Sequence, residues 1–417
     1  MQNSYGISEE TLKKTSEYIE KSWKNAVKRH DCDKTFPLPY DYIPPCVDGD
    51  LTNLYYWDTY FTNLGLYLDG MGEYCYNNIE CLRYCLEKFG CVPNMCRATG
   101  ADYASQPPLL YLMINDYFNF KGDKKWLETC VNSLEKEYSF WMSKRLAPNG
   151  LNRYGTNFNY EYAVKNKKEY YFAYGSRVGL DVSKFSDDEI INMAINAISE
   201  GESGEDHTPR FSREAFNINP VDLNSYLYGF ERTLARFCEI LGKDGASVWL
   251  KRAEARKELM DKYLLDPETG VYFDYNYITG KRTGVYAAAC YLPFVFGISC
   301  NKAALEKINN KLIMPHGVAS CQEMPPDGQS YQWGYPNSWA PHNYWAFVAN
   351  DVMNNVEARE KIRYGWLETV ASEFEKGGKL YEKYDGLNGG KAMVNEYGLP
   401  EMLGWTAGVY QKLYKTR

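Results

Sequence analysis

An all-α fold is the class the sequence predicts, on three observations. Apolar residues recur at steps of three and four along the whole chain, strand-like material is confined to one short stretch, and no segment of fixed period repeats. The best-marked helix is "SDDEIINMAINAISEG". Ser186 and Glu189 make a capping box, Ile190, Ala194 and Ile198 share one stripe, and Gly201 closes the run. In "VDLNSYLYGFERTLARFCEILG", Leu227, Phe230, Leu234, Phe237 and Leu241 keep helical spacing until Gly242. "ASVWLKRAEARKELMDKYLLDPETG" is a further helix ended by a turn. Similar patterns lie near 8–29, 58–69, 74–88, 106–119, 123–144, 283–294, 301–312, 338–352, 356–375 and 400–415. The total is roughly a dozen helices. "GVYFDYNYITGKRTG" is hairpin-like, turning at Thr279–Gly280.

That many helices either stack as a solenoid or close into a ring of hairpins. A solenoid needs a repeating sequence, and none is present. The long, aromatic, mutually unlike stretches fall between helices, which fits a closed toroid whose loops converge on one face. No Pro/Gly/Ser linker divides the chain, so one domain over 1–417 is expected.

Composition narrows the function. A net charge of −7 with no basic run argues against a nucleic-acid partner. The start "MQNSYGISEETLKK" lacks a signal-peptide pattern and no apolar run is long enough to span a bilayer. A soluble, cytoplasmic protein with no membrane partner is the expectation, with its 12 cysteines as reduced thiols. Cys75, Cys81, Cys85, Cys91 and Cys96 cluster without metal-site spacing, and four histidines are few for metal chemistry, so no metal is expected. The 38 Tyr and 10 Trp suit sugar rings, which present an apolar face and polar edges.

Five loops pair aromatics with carboxylates or amides: "NLYYWDTYF" (53–61), "CVPNMCRATGADYASQPP" (91–108), "GESGEDHTPRF" (201–211), "GQSYQWGYPNSWAPHNY" (328–344) and "YEKYDG…NEYGLPEMLGWTAG" (381–408). Such pairing suits a small carbohydrate substrate, and two carboxylates flanking a glycosidic bond would supply acid and base.

These loops resemble, in order, the motifs of the trehalase group, glycoside hydrolase family 37, and of the related family 63 α-glucosidases and mannosylglycerate hydrolases. "YYWDTYF" is similar to half of the first trehalase signature and "VPN…SQPP" to the next motifs. "ESGEDHTPRF" resembles "ESGWDxSxRF", "PVDLNSYLY" the helix after it, and "QWGYPNSWAP" the second signature. "EKYD", "NEY" and "GWTAG" resemble the C-terminal motifs. The resemblance implies an (α/α)6 barrel, inversion of anomeric configuration and no cofactor. It makes Asp206 the general acid and Glu382 the general base, with Glu396 and Glu401 close enough in sequence to compete for the second role. A neighbouring Glu202 and Glu205 would raise the acid's pKa by like-charge repulsion. Tyr56, Trp57 and Asp58 would line the subsite of the hydrolysed sugar, joined by Gly204, Asn94 and Gln106. Arg210 would anchor the acid loop or touch substrate. Trp333, Trp339 and Trp405 would provide aromatic surface, and Glu396 would face the leaving group.

The chain departs from the family at several positions. Asp50 and Ala104 stand where trehalases carry arginines, Asn53 replaces a Glu, Glu205 the Trp of "ESGWD", and Gly334 the Asp of "QWDxP". The absent arginines would grip the second glucose of trehalose. The expected substrate is therefore a different small α-linked glucoside or mannoside, such as another disaccharide or a glycosyl-glycerate-like solute. A sugar epimerase would need paired histidines for proton transfer. A carbohydrate-binding or regulatory protein on the same fold is the non-enzymatic alternative, although both catalytic positions are acidic here.

Overall fold

The computed structural model describes residues 6–49, 51–158, 164–165, 168, 175, 179–327, 329–393, 401 and 404–416. Its helices are α1 (Glu9–Ala26), α2 (Tyr56–Leu68), α3 (Gly72–Phe89), α4 (Leu110–Lys121), α5 (Lys124–Lys144), α6 (Asp187–Glu202), α7 (Val221–Leu241), α8 (Ala246–Tyr263), α9 (Leu292–Val295), α10 (Lys302–Leu312), α11 (Ala340–Val352), α12 (Val356–Gly377) and α13 (Gly404–Lys415). Seven short strands follow the same order: β1 (Ile218–Asn219), β2 (Tyr275–Asn276), β3 (Lys281–Arg282), β4 (Ile313–Met314), β5 (Gly317–Val318), β6 (Asn337–Trp339) and β7 (Lys383–Asp385).

The helices close a ring. α2 packs on α4, α4 on α7, α7 on α9, α9 on α11, α11 on α13, and α13 returns to α2. Between these inner helices the chain runs through an outer set, with α3 against α2 and α4, α5 against α4 and α7, α8 against α7, and α12 against α11 and α13. α10 packs on the 3-10 turn Ala288–Tyr291 that leads into α9, and α1 covers α12 and α13. This alternation is the (α/α)6 toroid. α6 stands outside it, in the long connection between α5 and α7.

Burial explains the two layers. Inner helices are buried along continuous runs, Tyr56–Leu66 in α2 and Val221–Glu231 in α7, because neighbours enclose them on all sides. Outer helices bury one stripe, such as Leu12, Ile19, Trp23 and Ala26 of α1, as amphipathic spacing requires. Since each inner helix returns through an outer one, the inner helices run in the same direction and their N-terminal ends share a face. The five loops precede those ends.

The hairpin expected at Thr279–Gly280 joins β2 to β3, with Gly280 at φ +71° and β1 added as a third strand. β6 pairs antiparallel with β7, setting Trp339 opposite Lys383. Some helices are shorter than their patterns. The 283–294 segment is extended until Ala287, which bridges to Cys321, because Gly284 turns at φ +68°; only the 3-10 turn and one-turn α9 follow. α4 begins at Leu110, after Pro107–Pro108, which lack N–H donors. Among the described residues, no helix is long and apolar enough to cross a membrane. All twelve cysteines are unpaired thiols.

The ring closes where α2 meets α13 through two glycines. A Cβ on Gly408 would lie 2.0 Å from the Phe61 carbonyl oxygen, and one on Gly65 2.8 Å from Gly408 Cα. Gly408→Ala is therefore expected to cost about 2–3 kcal/mol of stability in urea denaturation; an unchanged midpoint would contradict this close approach.

Candidate active site

The loop that carries Asp206, the acid loop of the sequence expectation, begins where α6 ends. The capping box forms, with Ser186 N–H donating to Glu189 Oε2 (2.8 Å) and Glu189 N–H to Ser186 Oγ (3.4 Å). At the other end Gly204, at φ +78°, lies against the Trp57 ring; a Cβ there would sit 2.6 Å from Trp57 Cε2. Only glycine lets the loop press onto that indole.

Three neighbours fix the loop on either side of Asp206. The buried Glu202 carboxylate accepts from Arg145 Nε (2.6 Å) and Nη2 (2.7 Å), and from the backbone N–H groups of Ser105 (2.8 Å) and Gly155 (2.7 Å). The acid loop is thereby bonded to the "SQPP" loop. Glu205 meets His342 Nε2 at 3.1 Å and Arg210 at 3.3 Å. Arg210, fully buried, also donates to Asp274 (2.7 Å) and Asp222 (2.8 Å). Of its two expected roles, this geometry is that of an anchor. Sequence reading singled out neither Asp222, Asp274, Arg145 nor His342 as partners, since nothing local distinguishes them.

The facing loops bring the aromatics. Trp57 has its ring centroid 5.8 Å from those of both Trp333 and Trp405. Trp333 stacks on Trp339 at 3.7 Å, and Trp405 stands edge-on to both. Trp339 is fully buried behind Trp333, with Lys383 Nζ 5.0 Å over its ring, so it backs the aromatic wall. Gln106 Oε1 accepts from Trp57 N–H (3.1 Å). The Asn94 carbonyl accepts from Tyr56 N–H (3.0 Å), while its buried Oδ1 has no partner among the described residues. Tyr56 is enclosed: its hydroxyl donates to Glu137 and accepts from Leu110 N–H (2.9 Å), so its polar tip is engaged by protein.

Glu382 is buried just before β7. Trp405 Nε1 donates to its carbonyl (3.1 Å), and Thr406 Oγ1 to that of Tyr381 (2.8 Å). Of the competing carboxylates, Glu401 is exposed and paired with Lys379, and Glu396 lies outside the described residues.

Electrostatics sorts these acids. Burial pushes Asp58 up to about 8, and the charges of Glu382 and Asp206 add to it. Carboxyl groups from three loops therefore act on one another. Burial likewise pushes Glu200 up to about 8, against backbone N–H donors from Thr208 and His207, with Asp206 adding to the rise. Burial would also raise Glu205, but Arg210 and His342 outweigh it and hold that carboxyl below its ordinary range. Glu202 and Glu205, expected as like charges beside Asp206, are both matched by cations, while Asp206 adds to the rise of Asp58 and of Glu200. Among the described residues no three His, Cys, Asp or Glu side chains could share a metal ion.

A closed six-hairpin toroid, with carboxyl groups and tryptophans gathered at the N-terminal ends of its inner helices, defines the class: an inverting glycoside hydrolase. The family model described as Trehalase matches residues 2–416, and the chain belongs to the trehalase family. The chain is similar to neutral trehalase Nth1 from Saccharomyces cerevisiae, at 25% identity and TM-score 0.76, over 96% of this chain and 79% of that one. Its fold is also that of a GH63 mannosylglycerate hydrolase from Thermus thermophilus crystallised with glucose, at 18% identity and TM-score 0.62, over 98% and 100%. An uncharacterized conserved protein from the same organism matches at 17% and 0.63, over 97% and 100%.

Two outcomes follow from the charges. Arg210→Met leaves three buried carboxylates without their shared cation and is expected to cost about 3–5 kcal/mol by chemical denaturation; a loss under about 1 kcal/mol would contradict the anchor role. Asp58 keeps its proton to about pH 8 when folded but loses it near 3.8 when unfolded. Between those values the folded state holds one more proton, so stability falls as pH rises, by up to about 1.4 kcal/mol per unit. Asp58→Asn should fall less steeply between pH 5 and 8; parallel curves would contradict the shift.

Proposed function

We propose that the chain hydrolyses the α-linkage of a small glucoside or mannoside, a disaccharide or glycosylated solute, by single displacement. Asp206 protonates the leaving oxygen, while Glu382 takes a proton from the water attacking the anomeric carbon from the opposite face. The observation that carries this reading is Asp58, a buried carboxyl under the charge of both Asp206 and Glu382. Inversion asks for a gap of roughly 6.5–9.5 Å between acid and base, wide enough for one water.

In this reading Trp57 and Trp333 form the wall against the sugar's apolar face, backed by Trp339 and Trp405. Asp58, Asn94 and Gln106 hold its hydroxyls, and Glu396 faces the leaving group. Asp58 near pH 7 is a neutral carboxyl group and donates as well as accepts. Tyr56, Gly204 and Arg210 serve by shaping and holding the loops. Trehalose is a poor fit, because Asp50, Asn53 and Ala104 cannot reproduce the family's grip on the second glucose. Two carboxyl groups and water suffice without a cofactor. The family match over 2–416 supports a single catalytic domain, and twelve unpaired thiols support a reducing cytoplasm.

Reducing-sugar release from a panel of α-linked disaccharides and glycosyl solutes tests the proposal. Wild type should hydrolyse at least one gluco- or manno-configured member faster than trehalose. Asp206→Asn and Glu382→Gln should each lower kcat by about 10²–10⁴-fold on it. Sugar binding without release would sink the reading in favour of a binding protein.

A further inference from the structure

Glu200 is a buried carboxyl group to which hydrolysis, as proposed, gives no task. It sits on the last turn of α6, 4% exposed, within the charge field of Asp206. With His207, Thr208, Arg213, Gln329 and Tyr331 it lines a small cavity beside the acid loop. Its carboxyl group shares that cavity with His207 and Thr208, the two residues after Asp206, whose backbone N–H groups hold its pKa down against burial. His207 needs such support, because its φ of 57° is a left-handed conformation that costs a non-glycine residue free energy.

The same turn is held from outside by the tryptophan wall. Trp333 N–H donates to the His207 carbonyl (3.3 Å), and Thr208 Oγ1 donates to the Trp333 carbonyl (3.2 Å). The His207 ring also packs on Tyr331 at 4.9 Å. Glu200 is thus the inner brace of a strained turn whose first neighbour is Asp206.

We propose that Glu200 is a positioning residue for proton donation: its carboxyl group holds the His207–Thr208 turn so that Asp206 is aimed at the leaving oxygen. This rests on the assignment of Asp206 as the acid. Burial keeps Glu200 protonated at neutral pH, up to about 8. An amide there retains both the charge state and the acceptor oxygen, whereas alanine retains neither acceptor nor bulk.

Leaving groups differ in their need for a proton, and that separates aim from general damage. A disaccharide requires protonation of its departing oxygen, whereas an α-glycosyl fluoride releases fluoride with little need of acid. The measurement is kcat on both substrates for wild type, Glu200→Ala, Glu200→Gln and Asp206→Asn. Glu200→Ala should lose about 10–100-fold on the disaccharide and stay within about twofold on the fluoride. Glu200→Gln should stay within about threefold of wild type on both.

Equal losses on the two substrates, or no loss on either, would overturn the proposal. So would a disaccharide-selective defect in Glu200→Gln as deep as in Glu200→Ala, since the acceptor alone would then not suffice. If Glu200→Ala does not fold, Glu200→Met is measured in its place under the same criteria. Asp206→Asn keeps the two ideas separable: without a selective loss there, the acid assignment itself fails, whatever Glu200 does.

Discussion

One buried guanidinium organises the site. Arg210 has no exposed surface and binds Glu205, Asp222 and Asp274 together, joining the acid loop, the start of α7 and the approach to β2. Three carboxylates around one cation leave an excess of negative charge, which is tolerable in a dry interior only if geometry and further hydrogen bonds are good. Val221 N–H donating to Asp274 (2.8 Å) and Tyr154 donating to Asp222 (3.1 Å) supply some of those bonds. The loop's place is thus set by charge as much as by packing.

The acids in and around the site then divide by partner. Glu202, Glu205, Asp222 and Asp274 each face a guanidinium and act as ties between segments. Asp58 and Glu200 are as buried and lie under the charge of other carboxyl groups, and burial raises both; it raises Asp222 as well, where it outweighs Arg210. A neutral carboxyl group both donates and accepts hydrogen bonds, whereas a carboxylate only accepts. The separation follows from environment alone, since all six are Asp or Glu.

Much of this was legible in the sequence and some could not be. Helical spacing, the Ser186–Glu189 cap and the Thr279–Gly280 turn are local signals, and the structure contains all three. The toroid was legible because the loops, unlike repeat units, differ from one another. What stayed hidden is pairing across long separations. Nothing near Glu202 says that Arg145 will neutralise it, and nothing near Glu205 points to His342. Glu200 reads as one more polar residue at a helix end until burial and the turn after Asp206 are known. The short α9 was misjudged for the opposite reason: the apolar run 285–294 is buried, but Gly284 and the Cys321 bridge keep its start extended.

Inversion requires a water attacking from the face opposite the departing oxygen. Proton NMR of the sugar released in the first moments of hydrolysis, before mutarotation, tests this most directly. An α-linked substrate should give the β-anomer first; initial release of the α-anomer would contradict it.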